Sequence, residues 1–318
     1  MIDDMTMHEQ DLCAFERARP RLEAIAYRLL GSASEAEDAT QEAFLRWEAV
    51  DRSEVACPPA WLTKVVTNVC LNQLGSARVR RESYVGQWLP EPLLEGDPML
   101  GPAEAMENRD AVSFAMLDLL AILPSRERAV FVLRESFTYS HAEIAEILGT
   151  SEAGSQQALA RARRRIQTRG RRRKTNATHV DVVVEAFLEA ANGGDIDRML
   201  AILSKDATSR ADGGGEFLAA RRTVSGAHAV AIYLCGLFRP SAAQTRQLGG
   251  TAEIYRARVN GDAGLVVVVK GRVIGAVVLD VDANRIREVR IQLAPDKLAR
   301  LQRFWSHQTP PQPLARFG

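Results

Sequence analysis

The sequence predicts a multidomain protein, with two all-α helical domains followed by an α+β domain, and three observations carry that expectation. The chain has 318 residues, about twice the length of an ordinary domain. Its apolar pattern has helical spacing as far as about Gln167 and becomes a series of β-branched runs from Ala252 onward. Two segments interrupt that pattern: Gly86 to Pro102, with four prolines and three glycines, and the basic tract Arg169 to Thr175. The expected boundaries are a first helical domain over 10–85, a proline-rich linker over 86–110, a second helical domain over 111–170 and the α+β domain over 176–300.

In the first domain, Phe15, Ala18, Leu22, Ile25, Ala26 and Leu29 fall on one helix face, and Gly31 stops that helix. Ser34 and Glu37 have the spacing of a capping box that opens a second helix running to about Val50. Pro58 and Pro59 suit a helix entrance, after which Trp61, Leu62, Val65, Val66 and Val69 mark a third amphipathic helix whose pattern fades after Leu74. In the second domain, Pro124 separates two helices, with Ser125 placed to cap the later one. Beyond Thr178 come a helix near Val180 to Ala191, a short helix started by Asp195, and strands over 252–259, 264–269, 272–281 and 285–293. Turn signals at Asn260-Gly261-Asp262 and at 282–284 separate these strands, so the expected sheet is curved and antiparallel.

Composition narrows the function classes. With 46% hydrophobic and 25% charged residues the chain can bury real cores. Its longest apolar run, around Leu265 to Val269, is interrupted by Lys270 and Arg272, and the N-terminus is acidic, so no membrane association and a cytoplasmic location are expected. Cys13, Cys57, Cys70 and Cys235 lack any paired short spacing; they are expected to be reduced and mostly buried, with no metal and no cofactor. The net charge of +1 hides an asymmetry. Residues 1–85 hold fourteen acidic against ten basic groups, whereas 111–174 hold twelve basic against six acidic. Part of the surface thus suits phosphate and part suits protein.

The most specific local signal is Ser140-His-Ala-Glu143, a capping box before Ile144, Ala145, Ile147 and Leu148, then a tight Gly149-Thr150-Ser151 turn and a second helix. That second helix places Ser155, Leu159, Ala162 and Ile166 inward and Gln157, Arg161 and Arg164 outward. This is the layout of a helix-turn-helix. Ser151, Gln156, Gln157, Arg161 and Arg164 are the expected DNA-reading residues, since glutamine pairs with adenine edges and arginine with guanine edges. A helical hairpin with a solvated basic face is the plain alternative. Against it stand nine basic and no acidic residues among the fourteen from Arg161 to Lys174.

The words around this motif resemble a known family. Leu123 to Arg134 followed by Ser140 to Ile147 resembles region four of the sigma-70 family, which reads the minus-thirty-five promoter element. Ala36 to Arg46 resembles the polymerase-docking helix of region two, and Ala60 to Asn68 the helix beside the minus-ten element. The chain is thus identified as a member of the extracytoplasmic-function sigma factors. The resemblance implies core RNA polymerase and promoter DNA as partners, Asp38, Gln41, Glu42 and Leu45 as polymerase-binding residues, and Lys64, Asn68, Asn72 and Arg78 as minus-ten contacts. Acid, amide and apolar groups on one helix face suit a protein partner better than phosphate. Polar and cationic groups suit unstacked bases.

Trp88-Leu89-Pro90, with the following Glu-Pro, resembles a signature of the sigma-factor group with a C-terminal SnoaL-like, NTF2-like cone domain. Asp212-Gly213-Gly214-Gly215 and the Pro-Asp296-Lys297-Leu word resemble that group's other signatures. Glu216 and Ala294 depart from the group, which often has lysine and asparagine there. By itself, Trp88 reads as a loop anchor and 212–215 as a hairpin turn. The resemblance makes them an interdomain regulatory contact, in which glycines allow close approach and the Trp-Leu-Pro segment gives a rigid apolar edge. Two rival readings stand beside this one. A cyclase-like enzyme has only His228, Asp280 and Asp282 to draw on, and the chain is expected not to be an enzyme. A one-component regulator with a small-molecule ligand in the cone explains the helix-turn-helix but leaves the region-two words unexplained.

Overall fold

The computed structural model describes residues 7–82, 84, 86–101, 113–168, 177–215, 219–239, 241, 245–246, 248–282 and 284–317. Side chains at 7–11, 52, 76–82 and 177–180 are not described. Two compact units emerge: residues 1–83, 96–112 and 116–170 form one, and residues 84–95, 113–115 and 171–318 form the other. The segment 84–95 thus belongs structurally to the C-terminal unit.

The helical unit starts with α1 (Met7–Leu30), α2 (Ala33–Ala49) and α3 (Pro58–Glu82), which pack on one another. Phe15, Leu22, Ile25, Ala26 and Leu29 are buried as their spacing requires, with Ala36, Ala39, Ala43 and Trp47 of α2 and Leu62, Val66 and Cys70 of α3. The cap of α2 differs from expectation. Ser32, not Ser34, is the N-cap and accepts from the Glu35 amide, because Gly31 at φ 71 ends α1 and leaves Ser32 extended at the helix entrance. α3 also outruns its apolar pattern, since Arg78 to Glu82 continue the helix.

α4 (Phe114–Ala121) and α5 (Ser125–Phe131) follow, and a π-helical turn over Val132–Ser136 leads on from α5. Ser125 begins α5 but does not cap it: Pro124 occupies the N-cap position, and no side-chain cap bond forms. α6 (His141–Leu148) has the full Ser140–Glu143 capping box, and Gly149 at φ 59 closes it in the left-handed region. α7 (Glu152–Gln167) is capped by Ser151. Arg28 is nearly buried inside this unit. Its guanidinium donates to Ala24 O (3.0 Å) and Leu100 O (2.9 Å) and lies 4.9 Å from the Phe137 ring centre. Burial brings its pKa down to about 10.

The C-terminal unit is α+β. α8 (Ala177–Gly193), α9 (Ile196–Ile202) and α10 (Ala227–Leu237) accompany strands β1 (Leu203–Asp212), β2 (Val224–Ser225), β3 (Ala252–Val259), β4 (Asp262–Val269), β5 (Arg272–Asp282), β6 (Arg285–Gln292) and β7 (Ala315–Phe317). The short α11 (Ala299–Ser306) precedes β7. Strand order is β2-β1-β6-β5-β4-β3-β7. The sheet is not purely antiparallel: β1 runs parallel to β6, pairing Ala211 with Ile291 and Asp212 with Gln292. β1, β2, β7, α10 and α11 escape the sequence pattern because β1 is rich in small and charged residues and β2 and β7 span only two and three residues.

The sheet has two apolar faces. One packs Leu265, Val277, Val289 and Ile291 with Phe187 of α8 and Leu234 of α10. The other packs Tyr255, Val266, Val268 and Val278 with Leu298, Leu301 and Trp305, and with Leu89 and Leu94. Cysteine burial is also lower than expected: Cys70 and Cys235 are buried, but Cys13 is half-buried and Cys57 exposed.

Candidate functional site

The two groups of expected site residues in the helical unit's first three helices differ in how free they are. On α2, Asp38 and Gln41 are exposed, Leu45 is 52% exposed despite being apolar, and Glu42 is half-exposed and paired with Arg46 at 2.9 Å. They form one accessible stripe, as i, i+3, i+4 and i+7 positions must. On α3, Lys64 and Asn72 are exposed, but Asn68 is engaged: its Nδ2 donates to Lys64 O (2.9 Å) and reaches Ile147 O of α6 (3.4 Å). Beside it, Thr63 shares a hydrogen bond with the Tyr139 hydroxyl (3.0 Å), and Arg21 donates to the same hydroxyl (3.3 Å) and to Phe137 O (3.3 Å). α6 and its approach segment therefore lie against α3. The Arg78 side chain lies outside the described residues.

α6 and α7 form a hairpin whose inner side buries Ile144, Ile147, Ser155, Ala158, Leu159 and Ala162. His141 Nδ1 and Ser155 Oγ meet at 2.9 Å and tie the two helices together. Ser151, Gln156, Gln157, Arg161 and Arg164 are all exposed. Arg161 is not a free cation, however: its Nε donates to Glu127 Oε1 of α5 at 2.9 Å. The basic tract Arg169 to Lys174 lies outside the described residues.

The third group is a buried cluster in the C-terminal unit. Asp212 ends β1 with no exposed surface. Its Oδ1 accepts from the Tyr84 hydroxyl (2.7 Å) and the Gly214 amide (3.1 Å), and its Oδ2 from the Leu89 amide (2.9 Å), Gln292 Nε2 (3.4 Å) and Lys297 Nζ (2.6 Å). Lys297 also donates to Leu89 O (3.0 Å) and stands 4.5 Å from the Tyr84 ring centre and 4.7 Å from that of Trp88. Five donors, one of them a cation, make this buried carboxylate fully satisfied, the condition under which a buried charge is tolerated. Burial holds the Lys297 ammonium below its ordinary value in spite of Asp212. Burial, with the hydrogen bond to Asp212, holds the Tyr84 phenol above its own.

The glycine word has a geometric reason. Gly214 sits at φ +63, and a Cβ there would meet the Ala294 Cβ at 3.0 Å. Gly213 is buried and Gly215, at φ 82, exposed. Leu89 and Pro90 are buried, Pro90 O accepting from Gln292 Nε2 (3.3 Å). Asp296 stands exposed at the start of a short 3-10 turn, outside the hydrogen-bonded cluster. Glu216 lies outside the described residues. Sequence reasoning missed Tyr84, Gln87, Gln292 and Asn260. Gln87 donates to Ala220 O (3.0 Å) and accepts from Thr223 Oγ1 (3.0 Å). Asn260, at φ 53, accepts from the Leu93 amide through Oδ1 (2.9 Å) and returns its own amide to Leu93 O (2.8 Å). Only the Asn-Gly turn signal marked Asn260 in advance.

Among the described residues no group of three or more His, Cys, Asp or Glu is arranged to hold a metal, and no helix is long and apolar enough to cross a membrane.

Comparison with known proteins matches residues 14–80 to Sigma-70 region 2 and residues 113–166 to Sigma-70 region 4. The chain is 36% identical over 259 residues to the ECF RNA polymerase sigma factor SigJ of Mycobacterium tuberculosis, covering 80% of each chain. It is 30% identical over 218 residues to that organism's ECF RNA polymerase sigma factor SigG, covering 60% of this chain and 58% of that one. The crystal structure of the M. tuberculosis extracytoplasmic function sigma factor SigJ superposes with a TM-score of 0.68 at 31% identity, covering 91% of this chain and 98% of that one.

Proposed function

The chain belongs to the extracytoplasmic-function RNA polymerase sigma factors, and we propose that it binds core RNA polymerase through the α2 stripe, engages the minus-ten element through α3 and the minus-thirty-five element through α7, and is regulated within the same chain by its C-terminal unit. The α2 stripe suits polymerase because Asp38 and Glu42 would repel phosphate whereas Leu45 offers exposed apolar surface. The α7 face suits the major groove, its exposed amides and guanidiniums rising from a buried hairpin that fixes their spacing. We assign Lys64, Asn68, Asn72 and Arg78 to the minus-ten element on the strength of the family's region two.

The observation that carries the regulatory part is the Asp212 cluster. Segment 84–95 joins the two helical regions in sequence, and a proline-rich segment without internal hydrogen bonds takes its path from what it touches. Here Tyr84, Leu89 and Leu93 are each hydrogen-bonded to the sheet unit. A domain that holds this segment governs the spacing open to two DNA-binding regions, and so biases promoter affinity without touching a base. We read the C-terminal unit as a non-catalytic, NTF2-like regulator. One cavity among the described residues of this unit has a volume of about 120 Å³ and is lined by residues including Leu248, Arg272, Ile274 and Leu293. That is below the roughly 300 Å³ at which drug-sized pockets begin, so this cavity does not suit a drug-sized ligand; the internal contact rests on the Asp212 cluster.

The test is reconstitution: the full chain is added to core RNA polymerase, and initiation from defined promoters is followed. Transcription that depends on the chain, and falls when Asp38 and Glu42 are both changed to lysine, is the expected result. Initiation independent of the chain would overturn the sigma-factor reading. Changing Trp88 or truncating near Thr175 should alter activity, and unaltered transcription in both would remove the regulatory part.

A further inference from the structure

Glu127 is a buried acid beneath a basic helix. It lies in the first turn of α5, is 7% exposed, and belongs to none of the groups expected from the sequence. Its Oε1 accepts from Arg161 Nε at 2.9 Å, and its Oε2 lies 3.1 Å from Arg165 Nε. The two arginines are one helical turn apart on the same face of α7, with side chains 50% and 54% exposed. Two guanidiniums at that spacing repel each other, and long free side chains carry much rotamer entropy. One carboxylate between them offsets both effects. Both contacts to the carboxylate are made at Nε, by a hydrogen bond from Arg161 and an ion pair with Arg165, which leaves the two terminal nitrogens of each side chain outside them. Among the described residues neither pair has a hydrogen-bonding partner. Among the described residues Arg164, by contrast, has no carboxylate partner, and Arg163 pairs with the less buried Glu135.

We propose that Glu127 is a positioning residue for base recognition, a buried anchor that orients Arg161, and secondarily Arg165, so that Arg161 reads a single base pair. The proposal rests on the reading of α7 as the promoter-contacting helix. A carboxylate near DNA costs affinity through repulsion of phosphate, so its presence is explained by discrimination and not by binding strength. Bidentate pairing with a guanine edge needs a guanidinium in one orientation, whereas a phosphate contact tolerates many.

The experiment uses holoenzyme assembled from the full chain and core RNA polymerase, presented with a pool of promoter duplexes randomised over both elements; the bound duplexes are sequenced. In Glu127→Gln, preference at one position of the upstream element should fall at least about five-fold, the low end for a bidentate contact. Total retention of the pool should hold or rise, because a negative charge has been removed. Arg161→Ala should erase preference at the same position. If Arg161→Ala does so while Glu127→Gln leaves the profile intact, the anchor role is wrong and the reading of α7 stands. If Arg161→Ala lowers retention of all sequences alike, Arg161 is a phosphate contact, and both that reading of Arg161 and the anchor role fail. A destabilised hairpin would also weaken every sequence alike and would lower the melting temperature, which refutes the anchor role. Should Glu127→Gln fail to fold, Glu127→Asp decides: it keeps the charge but withdraws it by one methylene, and an unchanged profile overturns the proposal.

Discussion

Two acid–arginine or acid–lysine systems in this chain do opposite things with the same chemistry. At Asp212 the acid, its lysine partner and the held residues 89–94 are all buried, and every oxygen lone pair is used. At Glu127 only the acid is buried, and its arginines stay half-exposed with donors to spare. A closed cluster fixes a chain segment in place. An open one leaves cations available to something outside. Burial of the cation, and not the presence of an ion pair, separates the two.

The sharpest way to break the comparison is Asp212→Ala, which leaves the Lys297 ammonium buried without its acid. Urea unfolding of the C-terminal unit, followed by Trp88 and Trp305 fluorescence, should show a loss of about 3–5 kcal/mol. The paired change Asp212→Leu with Lys297→Met should recover much of that loss, because buried pairs are often replaced by apolar groups at little cost. Near-wild-type stability combined with altered transcription would separate the cluster's positioning role from its stabilising one. Asn260→Ala comes next. It strips the Leu93 amide of its acceptor and puts a β-carbon residue without a side-chain amide at φ 53, for about 1–3 kcal/mol.

The pH dependence of the closed cluster has a defined sign. Tyr84 is held above its ordinary value, so its contribution to stability is complete below about pH 10 and is lost as pH rises beyond that. Lys297, held below its ordinary value, gives a slope of the opposite sign below about pH 10, so the tyrosine effect is read above it. Unfolding midpoints between about pH 10 and 11 should fall less steeply in Tyr84→Phe than in the unchanged chain. Tyr233 and Tyr255, also raised by burial, keep part of the slope. The smallest effect belongs to the open system's periphery. Arg163→Ala breaks an exposed pair with Glu135 and should cost no more than about 0.5 kcal/mol in the same unfolding measurement.

What the sequence determined by itself is local. The α6 capping box, the Gly149 turn and the buried faces of α1 and α7 follow from hydrogen-bonding and periodicity within a few residues, and the strands β3 to β6 from β-branched runs bounded by turns. The signature words around Trp88, Asp212 and Lys297 were visible too, although their meeting was not. Tertiary structure alone decided that the residues at 84, 89, 212, 292 and 297 share one buried carboxylate, because partners up to 213 positions apart in the chain have no spacing to read. It decided that β1 lies parallel to β6, since a strand of small and charged residues acquires its conformation from its neighbour. It also decided that Arg161 is anchored and Asn68 engaged, because whether a polar side chain is free depends on which helix packs beside it.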